Sequence, residues 1–187
     1  NAAYTQYGKK IDKFSYLLGL RMEDSKIEID QKTSNDKTVK KYTDFFPTLN
    51  LSYELNEKES FTLGYSRRLR RPRSRFINPF PSRSSITNVF QGNPDLDPTY
   101  SNAFDLGYLK RWKTLTLNSS IYYQKATKAF TFIRQDSGET VIISGEENNP
   151  SNPIVEVPVL RLFPINLSVN NRYGGEFSIS YFPSRKI

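Results

Sequence analysis

The chain is written in alternating apolar and polar positions. From Phe14 to Glu23, the residues Phe14, Tyr16, Leu18, Leu20 and Met22 share one parity, and Ser15, Leu17, Gly19, Arg21 and Glu23 share the other. A period of two held this long predicts a β-strand with one fatty face, because successive side chains of a strand point to opposite sides. A helix would scatter the same apolar positions around its cylinder. The pattern recurs. Leu49, Leu51, Tyr53 and Leu55 alternate with Asn50, Ser52, Glu54 and Asn56, and Phe61, Leu63 and Tyr65 alternate with Thr62, Gly64 and Ser66. Phe104, Leu106 and Tyr108 form another such face, and Leu115, Leu117, Ile121 and Tyr123 the next. Leu167, Val169, Tyr173, Phe177, Ile179 and Tyr181 form the last, over a run too long for an ordinary soluble strand. Ala2 to Tyr7 reads as a partner strand ahead of the first, joined to it through Gly8–Asp12. About seven strands are predicted.

The connections sort into two sets. Those at 8–12, 56–59 and 110–113 are short, as is the one after 182, where Pro183-Ser184-Arg185 reads as a turn. Those at 28–43, 67–101 and 125–163 are long. The second long stretch holds Pro72, Pro79, Pro81, Pro94 and Pro98, so no strand or helix is expected to run through it. Within the third, Phe130 to Ile133 and Thr140 to Ile143 read as a hairpin across Asp136-Ser137-Gly138, followed by the loop GEENNPSNP. Strands of about ten residues, fatty on one side and Ser, Thr, Asn or Gly on the other, suit a wall between lipid and a watery lumen. Sheet closure would satisfy the backbone there. The expected fold class is therefore all-β, an antiparallel transmembrane β-barrel wall with tight turns at one end and long loops at the other. An odd strand number, and Asn1 where an initiator Met would stand, imply a piece of a larger protein. The competing architecture is a soluble β-sandwich, whose strands are usually shorter and whose loops do not sort this way.

Composition narrows the chemistry. The 187 residues include no cysteine and no histidine, which removes disulfides, thiolate metal sites and the usual nucleophile–base pairs. The acids are scattered, so no catalytic residue, metal ligand or cofactor site is expected, and the chain reads as a non-enzyme. No apolar run approaches the length of a membrane helix. Thirteen Phe and twelve Tyr stand against one Trp, and Tyr16, Tyr53, Tyr65, Tyr108, Tyr123 and Tyr181 lie on the fatty faces, where they suit interfacial girdles.

The net charge of +8 points towards anionic lipid, an anionic ligand or nucleic acid. Its densest feature is Arg67, Arg68, Arg70, Arg71, Arg73 and Arg75. Guanidinium forks suit carboxylate and phosphate, which makes Arg68, Arg70, Arg71, Arg73 and Arg75 the candidate ligand-binding residues. On the structural alternative, Arg67 and Arg68 end a strand in water and the others pair with loop carboxylates. Nucleic acid is disfavoured as a partner, since Phe76 and Phe80 are the few aromatics nearby and no known RNA-binding module is present. The run Gly92-Asn93-Pro94-Asp95-Leu96-Asp97-Pro98 matches only the opening of a calcium loop, without its glycine or distal glutamate, and reads as turns. Asn78-Pro79-Phe80 is expected to fold back and pin Phe80 in an apolar niche. Glu146-Glu147 beside Asn148-Asn149 reads as a solvated loop tip rather than a cation or sugar site.

Several ordered segments carry a resemblance. YSRRLRRP, INPF and GNPDLDPTYSNAFDLGY within 65–108, with FSYLLGLRME and FFPTLNLSYELNEKESFTLGYSRR before them and NNRYGGEFSISYFP after, resemble the C-terminal barrel region of TonB-dependent outer-membrane receptors of the Bacteroidetes type. The likeness is weakest over 126–162. It implies a barrel of about 22 strands around an N-terminal plug, in the outer membrane of a Gram-negative cell. It also implies ligand uptake driven by the TonB energy-coupling complex, with outer-membrane lipid, a surface lipoprotein and a small-molecule or oligomer ligand as further partners. No plug, TonB-contacting segment or terminal barrel strand is visible in 1–187, so the chain is expected to be part of the wall and its external loops. Because Ser-Arg-Arg and Arg-Pro belong to the family-like pattern, the resemblance favours the structural role for the arginines. Two other readings stay open: a secreted or surface β-sandwich that binds carbohydrate or another polymer, and an outer-membrane barrel that serves as structure in a larger complex.

Overall fold

A computed structural model describes residues 1–32, 35–147 and 149–183. Its strands are β1 (Ala2–Ile11), β2 (Phe14–Gln31), β3 (Asp36–Asn56), β4 (Glu59–Arg70), β5 (Ser82–Ser85), β6 (Asn88–Phe90), β7 (Thr99–Arg111), β8 (Leu115–Ser144) and β9 (Val155–Tyr181). One short helix, α1 (Ser74–Ile77), lies between β4 and β5. All nine strands belong to one sheet in the order β1-β2-β3-β4-β7-β8-β9-β6-β5. Seven of them, β1 to β4 and β7 to β9, follow one another as antiparallel neighbours and form the wall. A sandwich needs two sheets packed face to face, and the described residues contain a single curled one.

The register shows why the sequence alternates. Phe14, Tyr53, Phe61 and Tyr108 stand opposite one another on consecutive strands, as do Tyr16, Leu51, Leu63, Leu106 and Ile121. A third row runs Tyr65, Phe104, Tyr123 and Tyr173. Ring pairs within these rows are in contact, Phe61 with Tyr108 at 4.9 Å and Tyr65 with Phe104 at 4.8 Å between centroids. Among the described residues no protein layer covers this face: Tyr173 is 80% and Phe177 78% exposed. An uncovered apolar area of this extent is unstable in water and suited to hydrocarbon, with the hydrogen-bonded ladders satisfying the backbone.

The opposite face carries Thr62, Gly64, Ser66, Asp105, Gly107, Asn118, Ser120, Arg172 and Glu176. It is kept smooth by glycines set directly across from larger polar residues. A Cβ at Gly64 would fall 2.1 Å from the Asp105 carboxylate, and one at Gly107 would fall 2.5 Å from the Thr62 hydroxyl. The side chain of each partner lies flat over the glycine.

The short connections are Asp12–Lys13, Glu57–Lys58 and Trp112–Thr114. Pairing runs further than alternation predicts at the first turn, since β1 continues to Ile11 rather than ending near Tyr7. Asp12 takes a φ of 52°, a left-handed conformation that Asp tolerates. In the second turn the Asn56 side chain accepts a hydrogen bond from the Lys58 amide at 3.0 Å. Of the turn expected at Pro183-Ser184-Arg185, the last two residues lie outside the described residues.

The long connections differ from expectation. The stretch 28–43 is a continuation of β2 and β3, paired from Ile27–Lys40 as far as Gln31–Asp36. Likewise β8 reaches Ser144 and β9 starts at Val155, so 125–163 is mostly a tall hairpin. Phe130 to Ile133 and Thr140 to Ile143 are therefore not two arms of a hairpin. Both lie in β8, and the Asp136–Thr140 stretch between them is a bulge where the pairing with β9 shifts. The stretch 71–98 is an irregular excursion, interrupted by α1, β5 and β6.

Candidate functional site

At the long-loop end the polarity of the protein inverts. The excursion from β4 to β7 crosses to the far edge of β9, where β6 pairs with it in parallel, Asn88 to Leu160 and Phe90 to Leu162. There it encloses a small core: Val159 is fully buried, and Leu96, Val89, Phe90 and Pro164 are close to it. Phe76 meets Phe132 edge-on at 5.2 Å and Phe130 at 5.6 Å, and lies 6.2 Å from Phe90. Gly92 is required for this fold-back. Its amide donates to the Asn78 carbonyl at 2.9 Å, and a Cβ there would sit 2.4 Å from that oxygen. Phe80, expected to be the pinned ring, is instead half exposed beside a cleft of about 630 Å³, and Phe76 and Phe90 supply the anchor.

A polar latch ties the excursion to three strands. The Asp97 amide donates to Asn166 Oδ1 at 2.7 Å, and Asn166 Nδ2 donates to the carbonyls of Asp97 and Lys128. The Asp97 carboxylate takes Lys128 Nζ at 3.0 Å and Lys40 Nζ at 3.5 Å. Lys128, with a φ of 54°, sits at a shift in the β8–β9 register. The hydrogen bond from Lys128 holds the Asp97 carboxyl below the usual range, against the opposing effect of partial burial. The segment thus works as turns and a latch, with two lysines where a metal would need free carboxylate. No group of three or more His, Cys, Asp or Glu side chains suited to a metal occurs among the described residues. At the tip of the β2–β3 hairpin, Lys26 and Lys37 flank Glu28 and lower its carboxyl to about 2.

Of the candidate arginines, Arg68 and Arg71 line one inner-face cavity with Glu23, and the others lie apart from it. Arg71 donates to Glu23 at 2.5 Å and to Ser25 at 2.7 Å, so its carboxylate partner is on strand β2 rather than in a loop. Arg70 stacks over Phe130 at 5.0 Å and Arg75 over Phe90 at 4.7 Å. Arg67 stacks over Tyr100 at 5.3 Å. Arg68 lines an inner-face cavity of about 480 Å³ with Arg21, Glu23, Thr48 and Phe46. Arg73 is exposed, without an ion pair or side-chain hydrogen bond among the described residues. Aromatic stacking thus takes the role assigned to loop carboxylates, with rings drawn from far along the chain. Arg172, which the local charge density did not single out, is brought by register to face Gln124 on the inner wall near Arg70. Glu146 accepts a hydrogen bond from Asn149 at 2.9 Å in an exposed tip, and Asn148 lies outside the described residues.

A one-sheet wall, apolar outside and polar inside, with tight turns at one end and tall hairpins at the other, defines a segment of a membrane-spanning β-barrel. All of residues 1–187 match the model of the outer membrane protein beta-barrel family, and the chain belongs to that family and to the outer membrane. The fold is shared with solved receptors. The siderophore receptor PirA from Acinetobacter baumannii superposes with a TM-score of 0.62 at 18% identity, over 96% of this chain and 25% of that one. The FrpB iron transporter from Neisseria meningitidis (F3-3 variant) gives 0.62 at 14%, over 98% and 23%. The Serratia marcescens hemophore receptor HasR, solved with its hemophore HasA and heme, gives 0.67 at 14%, over 97% and 31%. This chain thus spans 23–31% of the length of these receptors. No curated protein matches it.

Proposed function

We propose that the chain is part of the wall and external loops of a TonB-dependent-type outer-membrane receptor that binds and imports a nutrient. The observation that carries this reading is the pairing of a lipid-suited outer face with a polar inner face beneath a separately cored, strongly cationic loop cluster. That is the layout of a wall that admits a ligand from one side. The superposition on receptors for siderophore, iron and hemophore supports the same class. Because those neighbours bind different things, the ligand is not carried over. The chain contributes no chemistry of its own to the ligand, and the protein is a receptor rather than an enzyme. Its partners are outer-membrane lipid around the wall, the TonB energy-coupling complex reached through other segments, and a surface lipoprotein or small-molecule or oligomer ligand at the loops.

Arg68, Arg70, Arg71, Arg73 and Arg75 give the ligand side its cationic field, which steers anions by long-range attraction. Uptake by cells expressing the complete protein, with and without a functional energy-coupling complex, tests the reading. Accumulation of a nutrient that depends on both supports it. Growth and uptake indifferent to the coupling complex would instead favour a barrel that serves as structure.

A further inference from the structure

The outer face breaks its own rule at two adjacent positions. Along 115–123 of β8 and 173–181 of β9 the outward residues are large and apolar except at Ser119 and Gly175. Ser119 stands opposite Phe177, and Gly175 opposite Ile121, which makes the two small residues diagonal neighbours. They lie in a groove of about 500 Å³ walled by Phe61, Leu106, Tyr108, Ile121 and Phe177. Packing does not demand this glycine. A Cβ at Gly64 or Gly107 would collide with the side chain across from it, whereas one at Gly175 would meet the Ser120 carbonyl at 3.4 Å and Ile121 Cγ2 at 3.5 Å, ordinary contact distances. Its φ lies outside the left-handed region, so the backbone does not demand it either. A glycine inside a strand weakens the strand. What this one keeps open is the groove.

The groove leads to charges. The next outward position on β7 towards the short turns is Lys110, about 7 Å along the strand from Tyr108 and diagonal to Ser119. Lys110 faces Glu59 on β4, with Nζ 3.5 Å from Oε1, and lies over the Trp112 ring at 5.4 Å. The Tyr108 hydroxyl donates to the same Glu59 oxygen and fixes the carboxylate beside the groove. Trp112, the single tryptophan, is half exposed in the turn, where its amide donates to the Leu115 carbonyl at 2.7 Å. A carboxylate and an ammonium side by side match a head group that is itself zwitterionic: Lys110 attracts the phosphate, and Glu59 accepts from a primary ammonium. A purely anionic head group would be repelled by Glu59. The indole of Trp112 suits the level between acyl chains and head groups.

We infer that the Ser119–Gly175 groove seats an acyl chain of a zwitterionic phospholipid with a primary ammonium, whose head group is held by Glu59, Lys110 and Trp112. Its place beside the short turns assigns the lipid to the periplasmic leaflet. The inference rests on the outer-membrane wall of the reading above and goes beyond import, since a seated lipid is a partner of the wall and not a cargo.

Native mass spectrometry of the complete protein in mild detergent tests this, with phosphatidylethanolamine, phosphatidylglycerol and phosphatidylcholine of identical acyl chains as probes. Phosphatidylethanolamine should be retained about fivefold more tightly than either of the others, because the methylated ammonium of phosphatidylcholine has no N–H to donate and phosphatidylglycerol has no cation. Gly175→Leu fills the groove and should weaken that retention by about fivefold. Glu59→Gln should cancel the preference for phosphatidylethanolamine over phosphatidylglycerol, a change of selectivity that a structural role would not produce. Thr5→Leu, on the outward face of β1, should change neither. Heat-modifiable gel mobility establishes that each variant is folded. Equal retention of the three lipids, or of none, overturns the seat, as does retention unmoved by Gly175→Leu or a preference that survives Glu59→Gln. Failure of energised uptake with selective retention intact would overturn the receptor reading alone.

Discussion

The wall and the loop cluster of this protein are built on opposite rules. In the wall most large apolar side chains point to the outer face of the sheet, and among the described residues they pack into no core. Order there comes from long antiparallel ladders and from cross-strand rows such as Tyr16-Leu51-Leu63-Leu106-Ile121. In the loop cluster the apolar groups point inwards, with Val159, Leu96 and Phe90 buried and arginines stacked on the rings around them. The boundary between the two regimes marks where hydrocarbon gives way to water. Below it, burial in lipid does the work of a core. Above it, the chain must make a core of its own, and 71–98 is drawn across the sheet to supply one.

This contrast can be broken at several points. The largest effect is expected from Phe90→Ala, which removes a buried ring from the loop core at a cost of about 3–5 kcal/mol. Hydrogen exchange should show lost protection in 71–98 and in the upper parts of β8 and β9, with the wall ladders unchanged. Protection lost evenly through both regions would mean that they are a single cooperative unit.

Next comes a charge on the outer face. Leu106→Arg should cost about 2–4 kcal/mol in denaturant unfolding from vesicles, whereas Ser120→Arg on the lumen face should cost below about 1 kcal/mol. Equal costs at the two positions would remove the distinction between the faces. A smaller effect is expected from Asp97→Asn, which keeps the turn but loses both lysine partners. Partial exposure limits the change to about 1 kcal/mol, visible as faster proteolysis of 71–98.

The smallest effect concerns acid. The Glu28 carboxyl is lowered from 4.5 to about 2 by Lys26 and Lys37. A depressed folded value means that the contribution is full above about 4.5 and is lost as pH falls towards about 2. Amide protection at the tip of the β2–β3 hairpin should decline over that window, and Glu28→Gln should abolish the dependence.

How much of this was legible in the sequence follows the same boundary. The wall was, because lipid on one side and water on the other impose strict alternation, and every fatty face named from the sequence is on the outer face. The upper strands were not, because water bathes both faces of the hairpin tips and a run such as Lys26 to Gln31 needs no alternation to pair. In β8 four register shifts, from Ala126/Ala129 to Ile142/Ser144, interrupt the pairing with β9 and hide a 30-residue strand. The arginines were conspicuous as a cluster, yet the partners that define their roles lie far away in sequence: Glu23, Phe90 and Phe130. A charge run records local density, and strand register, not density, decides which side chains share a face with it.

The central claim is that one face of the wall meets lipid and the other meets water. The chain has no cysteine of its own, so once any cysteine elsewhere in the complete protein is replaced, single cysteines can be placed at each position from 103 to 108 and spin-labelled in that protein, reconstituted in bilayers. Paramagnetic relaxation should then rise with dissolved oxygen at 104, 106 and 108, and with a water-soluble metal chelate at 103, 105 and 107, the two profiles out of phase with a period of two. Profiles in phase, or with no period, would contradict the account.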